Sequence, residues 1–202
     1  MKMVVASKNE GKIAEIKSIL KELDVHIVSQ LKAGIEVEVK EDGVTFAQNA
    51  IKKAEQIMAI CNCTTLADDS GLEVDYLNGA PGVCSARYAG INATDEQRNQ
   101  KLIHALKGVP LEERTARFVC VIAIVFPNGE RQIVEGKCEG LIGFELKGEN
   151  GFGYDPLFYV PDYNMTMAEM ENHIKNNISH RGQALQKLKQ ILKEYVNKGY
   201  RN

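Results

Sequence analysis

The stretch Phe118–Phe126 (FVCVIAIVF) is an almost unbroken run of apolar and β-branched side chains. It lacks the polar–apolar alternation of a strand with one wet face, so a strand formed here is buried on both faces. Pro127-Asn128-Gly129 follows with hairpin-turn chemistry, and Gln132–Leu141 reads as the returning partner strand. The rest of the chain must therefore build around a sheet whose centre is dry on both sides.

The flanking segments alternate between strand and helix signals. Lys2–Ala6 reads as a short buried strand. The polar turn Ser7–Lys12 follows, and Ile13, Ile16, Leu20 and Leu23 predict a helix over Lys12–Leu23. Further strands are expected at 25–28, 36–39, 64–67, 72–74 and 154–160, that at 36–39 with one solvated face. Two capping boxes, Thr45–Gln48 and Thr94–Gln97, open helices carrying Ile51, Ala54 and Met58 in one case and Leu102, Ile103 and Leu106 in the other. A last helix over 182–196 has Leu185, Leu188, Leu192 and Tyr195 as its stripe. Strands and helices mixed in this way, with a hairpin among them, give an α/β or α+β domain on a mixed sheet. The 202 residues suffice for one such domain, 1–202, with room for two lobes.

Lys and Arg number 25 against 27 Asp and Glu, for a net charge of −2. That balance exerts no long-range pull on nucleic acid or an anionic membrane, so a polyanionic ligand must be held by local basic groups. The first residues lack a signal-peptide core, and no apolar run approaches the roughly 18 residues of a membrane span. A soluble cytoplasmic protein is expected. The five cysteines are an odd number without a Cys-x-x-Cys, which favours reduced thiols, with Cys120 packed as a small apolar side chain in a strand.

Five segments carry candidate chemistry. Ser7–Lys12 joins a strand to a helix, where free N–H groups attract phosphate and Lys12 adds a charge, or where the helix is merely capped. Glu41-Asp42-Gly43 precedes the Thr45 helix and offers either a metal carboxylate or a helix-dipole partner; Lys53, further along that helix, reads equally well as a solvated surface Lys. Asp68-Asp69-Ser70 sits between apolar residues; adjacent acids on an extended segment point to opposite sides, so one faces a site and the other is structural, unless the segment is only a turn. Gly148–Pro156 displays Phe152 between two glycines, suited to stacking on a flat ring or to being tucked into the core. Lys175–Gly182 brings His180 and Arg181 ahead of the last helix, either as directed donors for carbonyl or phosphate oxygens or as an ordinary surface pair.

Seven stretches in order make a more specific pattern. They are Ser7–Lys12 (SKNEGK), Thr45–Ala54 (TFAQNAIKKA), Leu66–Gly71 (LADDSG), Asn78–Gly82 (NGAPG), Ser85–Gly90 (SARYAG), Gly151–Pro156 (GFGYDP) and Ser179–Gly182 (SHRG). Together they resemble the inosine triphosphate pyrophosphatase family, the dITP/XTP pyrophosphatases that clear non-standard purine nucleotides. The resemblance implies a long, bent mixed sheet flanked by helices, two lobes around a central cleft, a homodimer, and Mg²⁺-dependent hydrolysis of a purine nucleoside triphosphate to monophosphate and pyrophosphate. It implies neither a nucleic-acid nor a membrane partner. Carried over by position, the loop Ser7, Lys8, Asn9, Glu10, Gly11 and Lys12 resembles the triphosphate-binding turn, with Lys53 a further cation beside the phosphates. Glu41 and Asp69 resemble the metal carboxylates, and Asp69 the catalytic acid that activates water. Ser70 resembles a substrate contact. Phe152 resembles the base-stacking ring, with Gly153, Tyr154 and Asp155 beside it. Lys175, His180 and Arg181 match positions that read the 6-oxo edge. Met170–Ile174 departs from the family's more acidic run, and Thr64-Thr65 stands where a more apolar pair is expected.

Overall fold

The computed structural model describes residues 1–197. Seven strands, β1 (Lys2–Val5), β2 (His26–Ser29), β3 (Thr64–Val74), β4 (Thr115–Val125), β5 (Arg131–Ile142), β6 (Phe158–Val160) and β7 (Met165–Thr166), lie in one open sheet in the order β2-β1-β3-β4-β5-β6-β7. The sheet is mixed. β1 runs parallel to β2 and β3, whereas β6 runs antiparallel to both β5 and β7. Among the described residues five α-helices accompany it: α1 (Glu10–Leu20), α2 (Phe46–Cys61), α3 (Asp95–Ala105), α4 (Asn172–Ile178) and α5 (His180–Asn197).

The chain divides into two compact units, residues 1–69, 120–136 and 181 onward in the first, and 70–119 and 137–180 in the second. β3, β4 and β5 each contribute residues to both. Each unit has its own apolar core. In the first, Ile13, Ile16 and Leu20 of α1 and Leu185, Leu188 and Leu192 of α5 pack with Ile122 and Ile124 of β4. In the second, Leu72, Leu102, Phe118 and Phe158 lie in one cluster. β4 is buried from Phe118 through Val125, with Cys120 fully covered, as an uninterrupted apolar run requires.

Several boundaries differ from the sequence reading. β3 is one strand through Asp68-Asp69-Ser70, not two strands around a turn, because Asp68 and Asp69 find side-chain partners that let them stay buried in mid-strand. Residues 36–39 form no strand. Glu36, Val37 and Glu38 are all exposed and Val39 is half-buried, so the alternation has no covered face behind it, and among the described residues no strand pairs with the segment. The expected strand 154–160 shortens to β6, after turns at Tyr154–Leu157. Thr64 and Thr65, which stand where a more apolar pair is expected, lie buried in an interior strand, between β1 and β4 in sheet order. Both predicted caps are present. Thr94 and Gln97 form the full reciprocal box, whereas Gln48 accepts the N–H of Val44 and Thr45 caps the N–H of Gln48.

Candidate active site

In the first unit the parallel register sets the geometry. Val5 of β1 lies opposite Leu66 of β3, and the N–H of Ala6 donates to the carbonyl of Leu66 at 2.8 Å. The turn that leaves β1 is thereby delivered beside the next residues of β3, Asp68 and Asp69. In that turn Ser7 Oγ accepts the N–H of Asn9 at 3.2 Å, and Asn9 Oδ1 caps α1 through the N–H of Lys12 at 3.0 Å. These caps use acceptor oxygens, so the Ser7 hydroxyl and Asn9 amide hydrogens stay chemically suited to donate to an anion. Lys8 and Glu10 are exposed, Gly11 lies in the first turn of α1, and Lys12 reaches Asp68 with 3.0 Å between Nζ and Oδ2.

Successive residues of a strand face opposite sides, and the two acids duly take different partners. Asp68 is met by Lys12 and by Arg181, whose Nε and Nη2 lie 3.3 and 3.2 Å from its Oδ2; Arg181 Nη1 donates to Glu15 of α1 at 2.5 Å. Burial alone would push the Asp68 carboxyl up, but Lys12, Arg181 and Lys53 outweigh it and hold it well below the usual range. Asp69 accepts from Asn49 Nδ2 at 2.9 Å, and Lys53 Nζ stands 3.9 Å from its Oδ1. Here burial wins over the nearby Lys53, and the pKa of Asp69 is raised.

Lys53 joins the acids into one cluster. Its ammonium donates to Glu41 at 2.5 Å and to the carbonyl of Asp68 at 2.7 Å. Burial works against its charge, yet Asp69, Glu41 and Asp68 together raise its pKa. Asn49 ties the segment down as well, since its Oδ1 accepts the N–H of Gly43 at 2.8 Å. Glu41 and Asp69 are thus two hard oxygen donors already sharing one cation, a set suited to a small divalent ion. Among the described residues no group of three or more His, Cys, Asp or Glu forms a complete metal cage.

The second unit carries the aromatic candidate. Phe152 is half-buried, neither displayed on a loose loop nor sunk in the core. Its N–H donates to Asp155 Oδ2 at 2.8 Å, and that oxygen also accepts from Lys175 Nζ at 2.8 Å. The ammonium lies 5.0 Å from the centre of the Phe152 ring, within cation–π range. Gly151 has φ +77°, and a Cβ there would come 2.2 Å from Asp155 Oδ2, so the ion pair fills the space a side chain would need. His180 stacks on Phe118 with ring centres 4.7 Å apart. Tyr154 is buried and spends its hydroxyl on the carbonyl of Ser85. Ser70 follows Asp69 in β3 and is half-buried.

The structure therefore gathers Lys12, Glu41, Lys53, Asp69 and Arg181 with Asp68 in the first unit, and Phe152, Asp155, Lys175 and His180 in the second. Arg181 lies with the carboxylates of Asp68 and Glu15. Asn49 and Glu15 are site residues that the sequence reading does not single out. Asn49 had a signal: the buried stripe of α2 runs Phe46, Asn49, Ala50, Lys53, Ala54, Ile57, so its two polar members stand out at helical spacing.

Comparison with known proteins gives a consistent result. A family model described as the Ham1 family matches residues 3–191. A "dITP/XTP pyrophosphatase" of Clostridium perfringens is 52% identical over 198 residues, covering 95% of this chain and 97% of that protein. One of Desulforamulus reducens is 55% identical over 192 residues, covering 95% and 96%. The solved structure of a HAM1 protein from Coxiella burnetii superposes with a TM-score of 0.88 at 45% identity, over 96% of this chain and 99% of that one. The Staphylococcus aureus Ham1 protein gives 0.87 at 43%, over 96% and 100%. A match of this length in sequence and fold has one meaning: the chain belongs to the Ham1 family.

Proposed function

We infer that this protein is a nucleoside triphosphate pyrophosphatase that hydrolyses non-standard purine nucleotides (ITP, dITP, XTP) to the monophosphate and pyrophosphate. Near-full-length relatives bear the name dITP/XTP pyrophosphatase. The observation that carries the chemistry is the buried Asp69, with raised pKa, sharing Lys53 with Glu41.

In this reading Asp69 orients a water for in-line attack on the α-phosphorus and takes its proton; desolvation makes it a better base than an exposed aspartate. Lys12 and Lys53 stabilise the charge that builds on phosphate oxygens, and Ser7 and Asn9 donate to the same group. Glu41 and Asp69 would hold Mg²⁺. Their two carboxylates suit an ion that completes its shell with water and substrate phosphate, and that ion would neutralise charge on the transferred group when bound. Phe152 stacks on the base, while Lys175 and His180 present donors to the 6-oxo group. Adenine puts an amine there and leaves such donors unpaired, which discriminates strongly. For Arg181 we propose an anchoring role on Asp68 in place of a base contact. Among the described residues no helix is long and apolar enough to cross a membrane. A cytoplasmic homodimer without a nucleic-acid partner is proposed from the resemblance and from the near-neutral charge.

The test is pyrophosphate release with Mg²⁺ over ITP, XTP, GTP and ATP. The reading requires kcat/KM for ITP and XTP to stand well above that for ATP, and Asp69→Asn to lose about 10²-fold or more in kcat. Equal values for ITP and ATP, or normal turnover in the variant, would refute it.

A further inference from the structure

Phe152 is held by more than its own loop. The N–H of Gly153 donates to Asp95 Oδ2 at 2.7 Å, and the carbonyl of Gly153 accepts from Asn99 Nδ2 at 2.9 Å. Both acceptor and donor come from the first turns of α3, more than 50 positions away in sequence. Arg98 in turn bonds the other oxygen of Asp95 and the carbonyls of Ala86 and Ala93, so Asp95 is itself held.

The direction of a side chain from the backbone is set by the two peptide planes that flank its Cα. For Phe152 a carboxylate grips each plane: Asp155 takes its own N–H, and Asp95 takes the N–H of Gly153. Asn99 then fixes the plane after that. Asn99 is 2% exposed, and its Oδ1 has no hydrogen-bond partner among the described residues. A half-satisfied amide on the apolar side of α3 costs stability relative to an apolar residue. Its return is the hold on Gly153.

We propose that Asp95 and Asn99 are positioning residues for purine binding: they lock the Phe152–Gly153 backbone so that the ring stands ready for the base before substrate arrives. The inference rests on the reading of Phe152 as the base platform. A pre-set ring loses less freedom on binding, so the effect falls on ground-state and transition-state binding alike.

The experiment is steady-state kinetics with ITP on Asp95→Ala, Asp95→Asn, Asn99→Ala and Phe152→Ala, and on the Asp95→Ala/Phe152→Ala double variant, with thermal melts on each. Asp95 is exposed over 45% of its side chain, so its replacement tests positioning even where Asn99→Ala destabilises the fold. Asp95→Ala should raise KM about tenfold, the scale of a hydrogen bond to a charged group, with kcat falling far less. Asp95→Asn keeps an acceptor and should recover most of the loss. In the Phe152→Ala background Asp95→Ala should add little, because the ring it aims is gone. Wild-type KM in Asp95→Ala and Asn99→Ala beside a raised KM in Phe152→Ala overturns this inference alone, as does an undiminished Asp95→Ala effect in the double variant. A wild-type KM in Phe152→Ala overturns the base-platform reading and this inference with it.

Discussion

Replacing Asp68 by Asn keeps the side chain's volume and removes one charge from a cluster that solvent barely reaches. The Asp68 side chain is fully buried, that of Arg181 is 2% exposed and that of Lys12 18%. Breaking a buried ion pair by removing one partner costs about 3–5 kcal/mol, because the other charge stays buried without compensation. Arg181 retains Glu15 at 2.5 Å and Lys12 has some access to water, so the low end applies, about 3 kcal/mol. In a chain of this size each kcal/mol shifts Tm by about 2–4 °C, which gives a drop of about 6–12 °C. Thermal melts at neutral pH measure it. The pH dependence then separates charge from packing. Lys12 and Arg181 depress the Asp68 pKa despite burial, so its contribution is present in full above the unfolded value of 3.8 and is lost as pH falls below that toward the folded value. The gap between wild type and Asp68→Asn should hold from neutrality down to about pH 4 and narrow only below it. A Tm loss under about 2 °C would refute the reasoning, since it implies less than one kcal/mol from a pair counted as buried. So would a gap that closes already well above pH 4.

Gly151→Ala and Gly34→Ala share a backbone φ of +77°, but only at Gly151 does the new Cβ meet anything, Asp155 Oδ2 at 2.2 Å. Both should lose about 1–2 kcal/mol in denaturant melts from the left-handed conformation; Gly151→Ala should lose more and also raise KM for ITP, while Gly34→Ala leaves KM alone. Among the thiols, Cys84 is exposed, whereas burial pushes Cys120 up to about 12 and Cys138 up to about 11. A thiol reagent near pH 8 should therefore label Cys84 readily in the native protein and reach Cys120 and Cys138 only after denaturation, as read by peptide mass.

How much of this could be read in advance depends on how local the cause is. The run at Phe118–Phe126 announces a doubly buried strand because nothing in it tolerates water on either face, and β4 is that strand. Thr45 and Thr94 announce helix starts because a cap is satisfied within three residues. The segment 36–39 misleads for the complementary reason: alternation in sequence secures neither a covered face nor a ladder partner, and among the described residues it has neither. The division of labour between Asp68 and Asp69 was half visible. Alternation says that they part, but which acid meets Arg181 and which meets Asn49 follows from the β1–β3 register and from where α2 and α5 lie.

Arg181 and Asn99 show where such reading stops. A long side chain at the start of a helix can reach carboxylates far away in sequence, and Arg181 reaches two, Asp68 and Glu15, which its place next to His180 does not announce. Asn99 serves a backbone carbonyl 54 positions away, and no local pattern encodes that partner. One trace does survive in the sequence. A polar residue on the apolar stripe of a helix must find a buried partner or destabilise the fold, and the stripes of α2 and α3 carry Asn49, Lys53 and Asn99. Asn49 turns to Asp69, Lys53 to Glu41 and the carbonyl of Asp68, and Asn99 to the loop that bears Phe152. Polar residues at stripe positions are therefore the points where an otherwise generic helix is committed to a site, and the partner each one needs is the part that only the folded chain supplies.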